Sequence, residues 1–192
     1  MIIKKSVAAS FLISLGALGI LKIENPYVVA FLFAFGLLTI CTLNFNLFTG
    51  KCGYYLTGDI SCKNLFIILI VNLISGYLFG LIYSVGYPDI QVTALTKVQS
   101  WGNNASFLLQ SFLCGTIMYF AVEIKKSHNS YLGIIYGIPL FILCGMQHSI
   151  ANVIYMGIAR TFNPAFILCI GCNFAGSLCA RLVDVSFIEE AK

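Results

Sequence analysis

Six long apolar runs, nearly free of charged residues, constrain the fold of this chain more than any other feature. Only 9% of the 192 residues are charged and 59% are hydrophobic, whereas an ordinary soluble domain carries about 25% charged residues. A water-soluble chain of this size could not bury so much apolar surface. The composition therefore excludes a soluble enzyme, a nucleic-acid-binding protein and a disordered chain, and it predicts a multi-pass protein of the lipid bilayer.

The runs predict six transmembrane helices, because a span needs roughly 20 apolar residues. Their continuity favours helices over the alternating strands of a membrane barrel. We interpret the first run as a retained span and not as a cleaved signal peptide, because no small-residue cleavage site follows it. The predicted spans are Ser6–Ile20, Tyr27–Phe48, Leu65–Tyr83, Phe107–Val122, Tyr131–Ile158 and Pro164–Phe187.

The basic residues divide unevenly between the two sides of this arrangement. With the N-terminus in the cytoplasm, the outer segments hold Lys22, Lys97 and Arg160. The inner segments hold all the others, which are Lys4, Lys5, Lys51, Lys63, Lys125, Lys126, Arg181 and Lys192. Because membrane proteins keep Lys and Arg mainly in cytoplasmic loops, this distribution predicts both termini on the cytoplasmic side of a plasma (inner) membrane.

The six spans form two halves of three within a single transmembrane domain, 1–192, divided at about 1–103 and 104–192. Three spans per half invert the second half relative to the first. The middle span of each half carries a polar interruption, one from Asn44 to Gly50 and one from Gly145 to Asn152. Matched interruptions in two inverted halves are typical of a transporter whose binding site lies near the bilayer midplane.

His148 is the most informative single residue, because an ionisable side chain deep in an apolar span must face protein or water. Imidazole also exchanges protons near neutral pH. Asn152 follows one helical turn later and shares its face if the helix continues there. The alternative is a packing histidine that is hydrogen-bonded to a neighbouring carbonyl.

Other candidate residues have structural explanations of equal or greater weight. Thr49 and Gly50 could form a substrate loop or simply end a helix. Lys97 could attract anions to a pore mouth, although a solvated lysine is the default interpretation. Cys169 and Cys172 share one helix face, but a metal or redox site would need further ligands, so we expect no metal and no cofactor.

Two stretches resemble the formate/nitrite transporter family. The first runs from Phe33 and ends in Leu-Phe-Thr at Thr49, and the second runs from Phe141 into His-Ser-Ile-Ala-Asn at His148 to Asn152. The second string is the specific one. The spacings from Phe33 to Thr49 and from Phe141 to His148 also match those of the family.

The resemblance implies an aquaporin-like protomer with its own pore, assembled as a homopentamer, that moves small monovalent anions such as formate, nitrite, hydrosulfide or lactate. It implies a central His148 between two apolar constrictions. One constriction would be bordered by Phe33 with the loop around Phe48 and Thr49, and the other by Phe141. Lys97 would occupy the position of a vestibule lysine.

Three departures from the family pattern stand out. Gln147 precedes the histidine where the family usually has an acidic residue. The position of a fourth-span asparagine is expected at Cys114 or Gly115. The segment before the first span is much shorter than in the family.

The sequence therefore predicts a passive or proton-linked pathway for small monovalent anions, and not an enzyme. An anion in a narrow apolar pore would be costly to dehydrate, so we expect it to accept a proton or a strong hydrogen bond near His148. Three alternatives remain open. They are a substrate-capture subunit of an ATP-driven importer, a redox enzyme that uses Cys169 and Cys172, and a non-transporting scaffold.

Overall fold

The structure, a computed structural model, describes the backbone of residues 1–190 and the side chains of residues 1–184. This part of the chain contains helices and no strand, which confirms the all-α prediction. Lys192, which the charge distribution placed in the cytoplasm, lies outside the described residues. The helices are α1 (Ile2–Lys22), α2 (Pro26–Thr42), α3 (Cys62–Gly86), α4 (Gln91–Gln99), α5 (Ala105–His128), α6 (Leu132–Leu143), α7 (Ser149–Ala159) and α8 (Ala165–Glu190).

Within the described residues, four helices are long and apolar enough to cross a membrane. They are α1, α3, α5 and the part of α8 from Ala165 to Asp184. Helices α2, α6 and α7 are apolar but shorter. The second apolar run continues beyond the end of α2 into a loop with one 3₁₀ turn at Cys52–Tyr55, and the fifth run is divided between α6 and α7.

Polar residues at the segment boundaries explain where α2 and α5 begin. The Asn25 side chain accepts hydrogen bonds from the backbone N–H groups of Tyr27 and Val28, at 3.0 and 3.1 Å, and Pro26 follows as the first helical residue. Asn104 accepts from Phe107 N at 2.9 Å at the start of α5. Such caps satisfy backbone donors that have no partner within the helix.

Helices α2 and α6 end with the same backbone motif. Asn44 and Gly145 adopt the left-handed conformation, with φ values of 53° and 66°. The next residue in each case donates its N–H back to the helix, Phe45 to Ile40 O at 2.9 Å and Met146 to Phe141 O at 3.1 Å. A left-handed residue followed by this six-to-one hydrogen bond is a Schellman ending, and it turns the chain away from the helix axis at both places.

Glycines bring two helix pairs into close contact. A Cβ atom on Gly80 of α3 would lie 2.3 Å from Ile154 O of α7, and one on Gly157 of α7 would lie 2.3 Å from Tyr77 O of α3. At the contact of α5 with α8, a Cβ on Gly176 would lie 2.0 Å from Phe112 O. Small residues at such contacts let membrane helices pack backbone to backbone, so α7 packs closely on α3 and α8 packs closely on α5.

The basic residues gather at opposite ends of α3. Near the start of α3, Lys51, Lys125 and Lys126 line the same cavity as Asn64. At the other end, Lys22 pairs with Asp89 at 2.7 Å, and Arg160 Nε donates to Ser84 Oγ at 3.1 Å. The hydrogen bond from Lys22 lowers the pKa of the Asp89 carboxyl. The two groups of charges are therefore separated by the length of α3.

Large apolar side chains cover the outside of the molecule. Phe31 and Phe35 of α2 are 56% and 60% exposed, and Leu78 and Ile82 of α3 are 52% and 61% exposed. Such a surface is unfavourable in water and suits contact with lipid tails or with neighbouring subunits.

Candidate functional site

Two buried asparagines hold the broken segments in place, and the first is Asn72 of α3. Its side-chain oxygen accepts a hydrogen bond from Phe48 N at 2.8 Å. Its amide nitrogen donates to Ser6 O at 2.8 Å and to Asn46 O at 3.2 Å. Asn72 is fully buried, so these bonds satisfy backbone groups that no water reaches. They fix the loop directly before Thr49.

Asn173 of α8 makes the equivalent set of bonds at the second break. Its side-chain oxygen accepts from Ser149 N at 2.8 Å, and its amide nitrogen donates to Gln147 O at 2.8 Å and to Ser111 O at 2.7 Å. Asn173 is also fully buried. The same sequence offset relates Asn72 to Asn173, Phe48 to Ser149 and Asn46 to Gln147, so the two clamps act on equivalent backbone groups. In the second half these groups flank His148, and in the first half they directly precede Thr49.

The two breaks bring His148 and Thr49 into direct contact. His148 Nε2 lies 2.8 Å from Thr49 Oγ1. Thr49 is fully buried and His148 is 2% exposed. The two predicted residues, which are far apart in the sequence, therefore form one polar pair inside an apolar core.

The hydrogen bonds of His148 determine its tautomer. His148 is the N-cap of α7, where Nδ1 accepts a hydrogen bond from Ala151 N at 3.1 Å. A ring nitrogen that accepts this bond carries no proton, so the proton of the neutral imidazole is on Nε2 and is donated to Thr49 Oγ1. The Thr49 hydroxyl proton is then available for a third group.

A small pocket next to this pair contains several of the predicted site residues. We call it the Lys97 pocket. Its volume is about 60 Å³, and its lining includes Phe33, Lys97, Phe141, His148, Asn152 and Tyr155. The rings of Phe33 and Phe141 meet edge to face with centroids 5.7 Å apart, and the Phe141 centroid is 6.0 Å from that of His148.

Lys97 reaches this pocket from α4, a short helix outside the long spans. Its Nζ lies 5.1 Å from the centroid of the Tyr155 ring, within the range of a cation–π interaction. Burial lowers the pKa of Lys97 from its ordinary value. The pocket therefore combines one ammonium group with aromatic rings and the amide of Asn152.

Phe48 does not join this group. It stacks on Phe174 of α8, with centroids 6.5 Å apart. The sequence interpretation grouped Phe33 with the loop around Phe48 and set Phe141 apart, whereas Phe33 in fact lies against Phe141. The reason is that α2 packs on α6, whereas Phe48 follows the break and turns toward α8.

Gln147 has a partner that the sequence did not reveal. Its amide nitrogen donates to Gln110 Oε1 of α5 at 3.1 Å, and its oxygen accepts from Asn152 Nδ2 at 3.2 Å. Gln110 therefore supplies a polar partner for Gln147 one helical turn before Cys114, where the family's fourth-span asparagine is expected at Cys114 or Gly115. Cys114 is fully buried, and Gly115 packs on the backbone of Asn173.

On the anion pathway that the resemblance implies, Gln147→Glu is expected to lower uptake severalfold at neutral pH and low anion concentration, because a carboxylate would then line the Lys97 pocket and offset the charge of the ammonium group. The loss should diminish as the pH falls and the new carboxyl becomes protonated. The check is initial formate uptake in proteoliposomes between pH 5 and pH 8, with Gln110→Glu as the matched variant of the partner. Unchanged uptake at neutral pH in Gln147→Glu would contradict the electrostatic role of this position.

A larger cavity lies on the other side of the Thr49 loop. We call it the lysine vestibule. It has a volume of about 530 Å³ and is lined by Lys51, Lys125 and Lys126, with Asp59 as an acidic group. Lys126 binds Asp59 at 3.0 Å, and this hydrogen bond lowers the pKa of Asp59. The lysines outnumber the carboxylate, so the vestibule favours anions.

Leu37 and Leu47 line this vestibule, and both are 1% exposed. Neither residue is a candidate on sequence grounds, because leucines inside apolar runs carry no distinguishing signal. Only their closeness in sequence to predicted site residues could have indicated them, since Leu37 lies one helical turn after Phe33 and Leu47 lies two residues before Thr49.

Cys169 and Cys172 are both free thiols. Cys169 is fully buried, and its thiol lies 3.4 Å from Gln147 O. No group of three metal-ligating side chains occurs among the residues whose placement is described.

A family model described as "Formate/nitrite transporter" matches residues 1–168. The chain belongs to the formate/nitrite transporter family. It is accordingly a membrane protein of a channel and transporter family, and not a member of an enzyme family. No curated protein sequence matches the chain.

Two solved structures share the fold of this family member. One is described as "FNT family ion channel", with a TM-score of 0.69, 21% identity, and coverage of 95% of this chain and 86% of that chain. The other is described as "Pentameric formate channel with formate bound", with a TM-score of 0.68, 15% identity, and coverage of 97% and 94%.

Proposed function

We propose that this protein is a passive, proton-linked pathway for small monovalent weak-acid anions such as formate, nitrite or hydrosulfide. The observation that carries the proposal is the buried hydrogen bond between His148 and Thr49, which is flanked by a pocket and a vestibule that both carry lysines. Membership of the formate/nitrite transporter family supports the substrate class.

The proposed membrane arrangement has six spans in two inverted halves, 1–103 and 104–192. In it α2 with its following loop forms an interrupted second span, and α6 with α7 an interrupted fifth. The equivalent Schellman endings and asparagine clamps of the two halves support this division. The separation of basic residues along α3 supports a cytoplasmic lysine vestibule, an outer Lys97 pocket and cytoplasmic termini in the plasma membrane.

We also propose a homopentamer in which each protomer contains its own pathway. The similar fold of a structure described as a pentameric formate channel supports this assembly. The apolar outer faces of α2 and α3 offer surfaces that either lipid or a neighbouring protomer would cover.

In the proposed mechanism, the anion first gathers in the Lys97 pocket and then loses its water. Dehydration disfavours the charged form of a carboxylate and raises its proton affinity. The anion then takes up a proton from the outer solution at the pocket mouth and becomes the neutral acid, which passes between Phe33 and Phe141. On the other side it passes Leu37 and Leu47 and releases the proton in the lysine vestibule. Phe48 supports the loop that contains Thr49 by stacking on Phe174 of α8.

Within the pore, the Thr49 hydroxyl is the group that contacts the substrate. Because Nδ1 is the acceptor at the cap of α7, His148 donates from Nε2 to Thr49 Oγ1, which leaves the hydroxyl proton free to point at a substrate oxygen. The imidazole itself is a poor proton source, because Nδ1 accepts from Ala151 N. Protonating Nδ1 would break the cap of α7, and removing the Nε2 proton would leave an imidazolate in an apolar site. His148 therefore orients the Thr49 hydroxyl so that it can donate a hydrogen bond to the substrate. Asn152 contributes a further polar group to the lining of the Lys97 pocket.

The proposal is tested by the flux of a series of anions through purified protein in liposomes. The series is formate, nitrite, hydrosulfide and lactate, each measured in both directions, without ATP, between pH 5 and pH 8. Flux in either direction that follows the gradient and rises as the pH falls is expected. Absence of flux for every anion would favour the non-transporting scaffold instead, and a requirement for ATP and a co-purifying ATPase would favour the capture subunit.

Lys97→Gln is expected to lower formate uptake severalfold at low formate concentration and to have little effect at saturation. The reason is that a single cation near a pore mouth raises the local anion concentration and not the rate of passage. The effect should shrink at high ionic strength, where charges are screened over about 3 Å at 1 M salt. Initial uptake rates against formate concentration at two salt concentrations measure this.

Lys97→Arg serves as the control because it keeps the charge, and its uptake at low concentration should stay close to that of the wild type. A Lys97→Gln protein that loses the same fraction of flux at every formate concentration would contradict an attracting role for this residue.

A further inference from the structure

The ring of Phe33 rests against a glycine on the neighbouring helix. A Cβ atom on Gly16 of α1 would lie 2.6 Å from Cδ2, 2.8 Å from Cε2 and 2.9 Å from Cγ of Phe33. Carbon atoms in contact are normally about 3.5–4.0 Å apart. The ring of Phe33 can therefore occupy its present position only because residue 16 has no side chain.

This glycine is not explained by the approach of the two helix backbones. That approach is made possible by Gly36 of α2, where a Cβ would lie 2.9 Å from the backbone oxygen of Leu12. The three nearest atoms to a Cβ at Gly16 all belong to the Phe33 ring. Gly16 therefore accommodates one side chain, and that side chain lines the Lys97 pocket.

Phe33 has two different surroundings. Together with Gly16 it lines an apolar crevice of about 240 Å³ between α1 and α2. Its ring also meets Phe141 at 5.7 Å beside the Lys97 pocket, whose volume is only about 60 Å³. In a passage this small, a shift of the ring by less than the size of a methyl group changes which acids pass.

We propose that Gly16 is a positioning residue that sets the aperture between Phe33 and Phe141, and with it the size limit for the transported acids. This inference rests on the proposed function. A side chain at position 16 would push the Phe33 ring away from α1 and toward Phe141, and the passage would narrow. Gly16 touches no substrate and acts only through Phe33.

The first test compares Gly16→Ala with Gly19→Ala in proteoliposomes, using formate, acetate and propionate. Gly19 is on the same helix and lines the same crevice, but its added Cβ would lie at an ordinary 3.5 Å from Val29. Gly16→Ala is expected to lower the propionate-to-formate rate ratio about tenfold, since one methylene in a tight apolar site changes rates by roughly 10–200-fold. Gly19→Ala should keep the wild-type ratio. Equal slowing of all three acids in Gly16→Ala would overturn the proposal.

The second test repeats Gly16→Ala in a Phe33→Leu background. If the effect is transmitted through the aromatic ring, the change in the rate ratio should largely vanish there, because coupled neighbours are not additive. The same change in both backgrounds would overturn the proposal.

A cryo-electron microscopy comparison of the wild type with Gly16→Ala tests the positioning directly and needs no flux. The Phe33 ring is expected to move toward Phe141 by ~1 Å, the distance that restores an ordinary carbon contact. An unmoved ring, or one displaced into the crevice, would overturn the inference. Absence of flux in the wild type would instead reject the proposed function. The microscopy comparison would then still test whether Gly16 positions the Phe33 ring.

Discussion

His148→Asn is expected to lower formate flux about a hundredfold without unfolding the protein. Asparagine is among the best N-cap residues, so α7 should keep its cap. Its side chain is too short to make the present 2.8 Å contact with Thr49 Oγ1. Loss of one preorganised donor in a dry site typically lowers a rate about 10²–10³-fold. Initial formate uptake in proteoliposomes, with melting temperature as the measure of folding, checks both parts.

A pair of substitutions at Thr49 provides the control. Thr49→Ser keeps the hydroxyl and should retain most of the flux, whereas Thr49→Val keeps the shape and should lose as much as His148→Asn. His148→Phe removes both the donor and the cap, so it should lose flux and stability together. Unaltered flux in His148→Asn, His148→Phe and Thr49→Val would show that this polar pair is only a packing contact.

Asn173→Leu is expected to destabilise the protein by about 3–5 kcal/mol, because leucine has a similar volume but leaves buried backbone groups at both sides of the break without partners. Asn72→Leu should have an effect of similar size at the first break. In both variants we expect a lower melting temperature in detergent and loss of formate flux, since the clamped segments carry His148 and Thr49.

Asn103→Leu is the matched surface control, because Asn103 is exposed in the segment before α5. Surface substitutions of this kind usually change stability by less than about 0.5 kcal/mol. If the Asn173→Leu protein had the same melting temperature as the Asn103→Leu protein, the role of the buried amide as a clamp would be contradicted.

The sequence contains enough information for the class of fold, because bilayer thickness and apolar run length determine which segments form helices. It also indicates where α2 and α6 end. Asn44 and Gly145 belong to the residue types that adopt the left-handed conformation most readily, and both lie inside the polar interruptions that drew attention to His148 and Thr49. Local chemistry is therefore sufficient to single out the two segments that contain Thr49 and His148, but it does not predict that these two side chains meet.

Contacts between distant segments were harder to predict. Gln110 is one of several polar residues in the mainly apolar α5, and nothing in the adjacent sequence indicates that its side chain binds Gln147. The meeting of Phe33 with Phe141 depends on how α2 packs on α6, and apolar periodicity does not define that packing. The function of Asn72 and Asn173 as clamps depends on the backbone groups that they bind on other segments of the chain.

The most direct test of the account separates neutral-acid passage from anion conduction in proteoliposomes loaded with buffer. A pH gradient, acidic outside and without a membrane potential, should drive formate accumulation in the wild type. A membrane potential without a pH gradient should drive none, because formate and a proton together carry no net charge. Formate accumulation that follows the membrane potential and ignores the pH gradient would contradict the account.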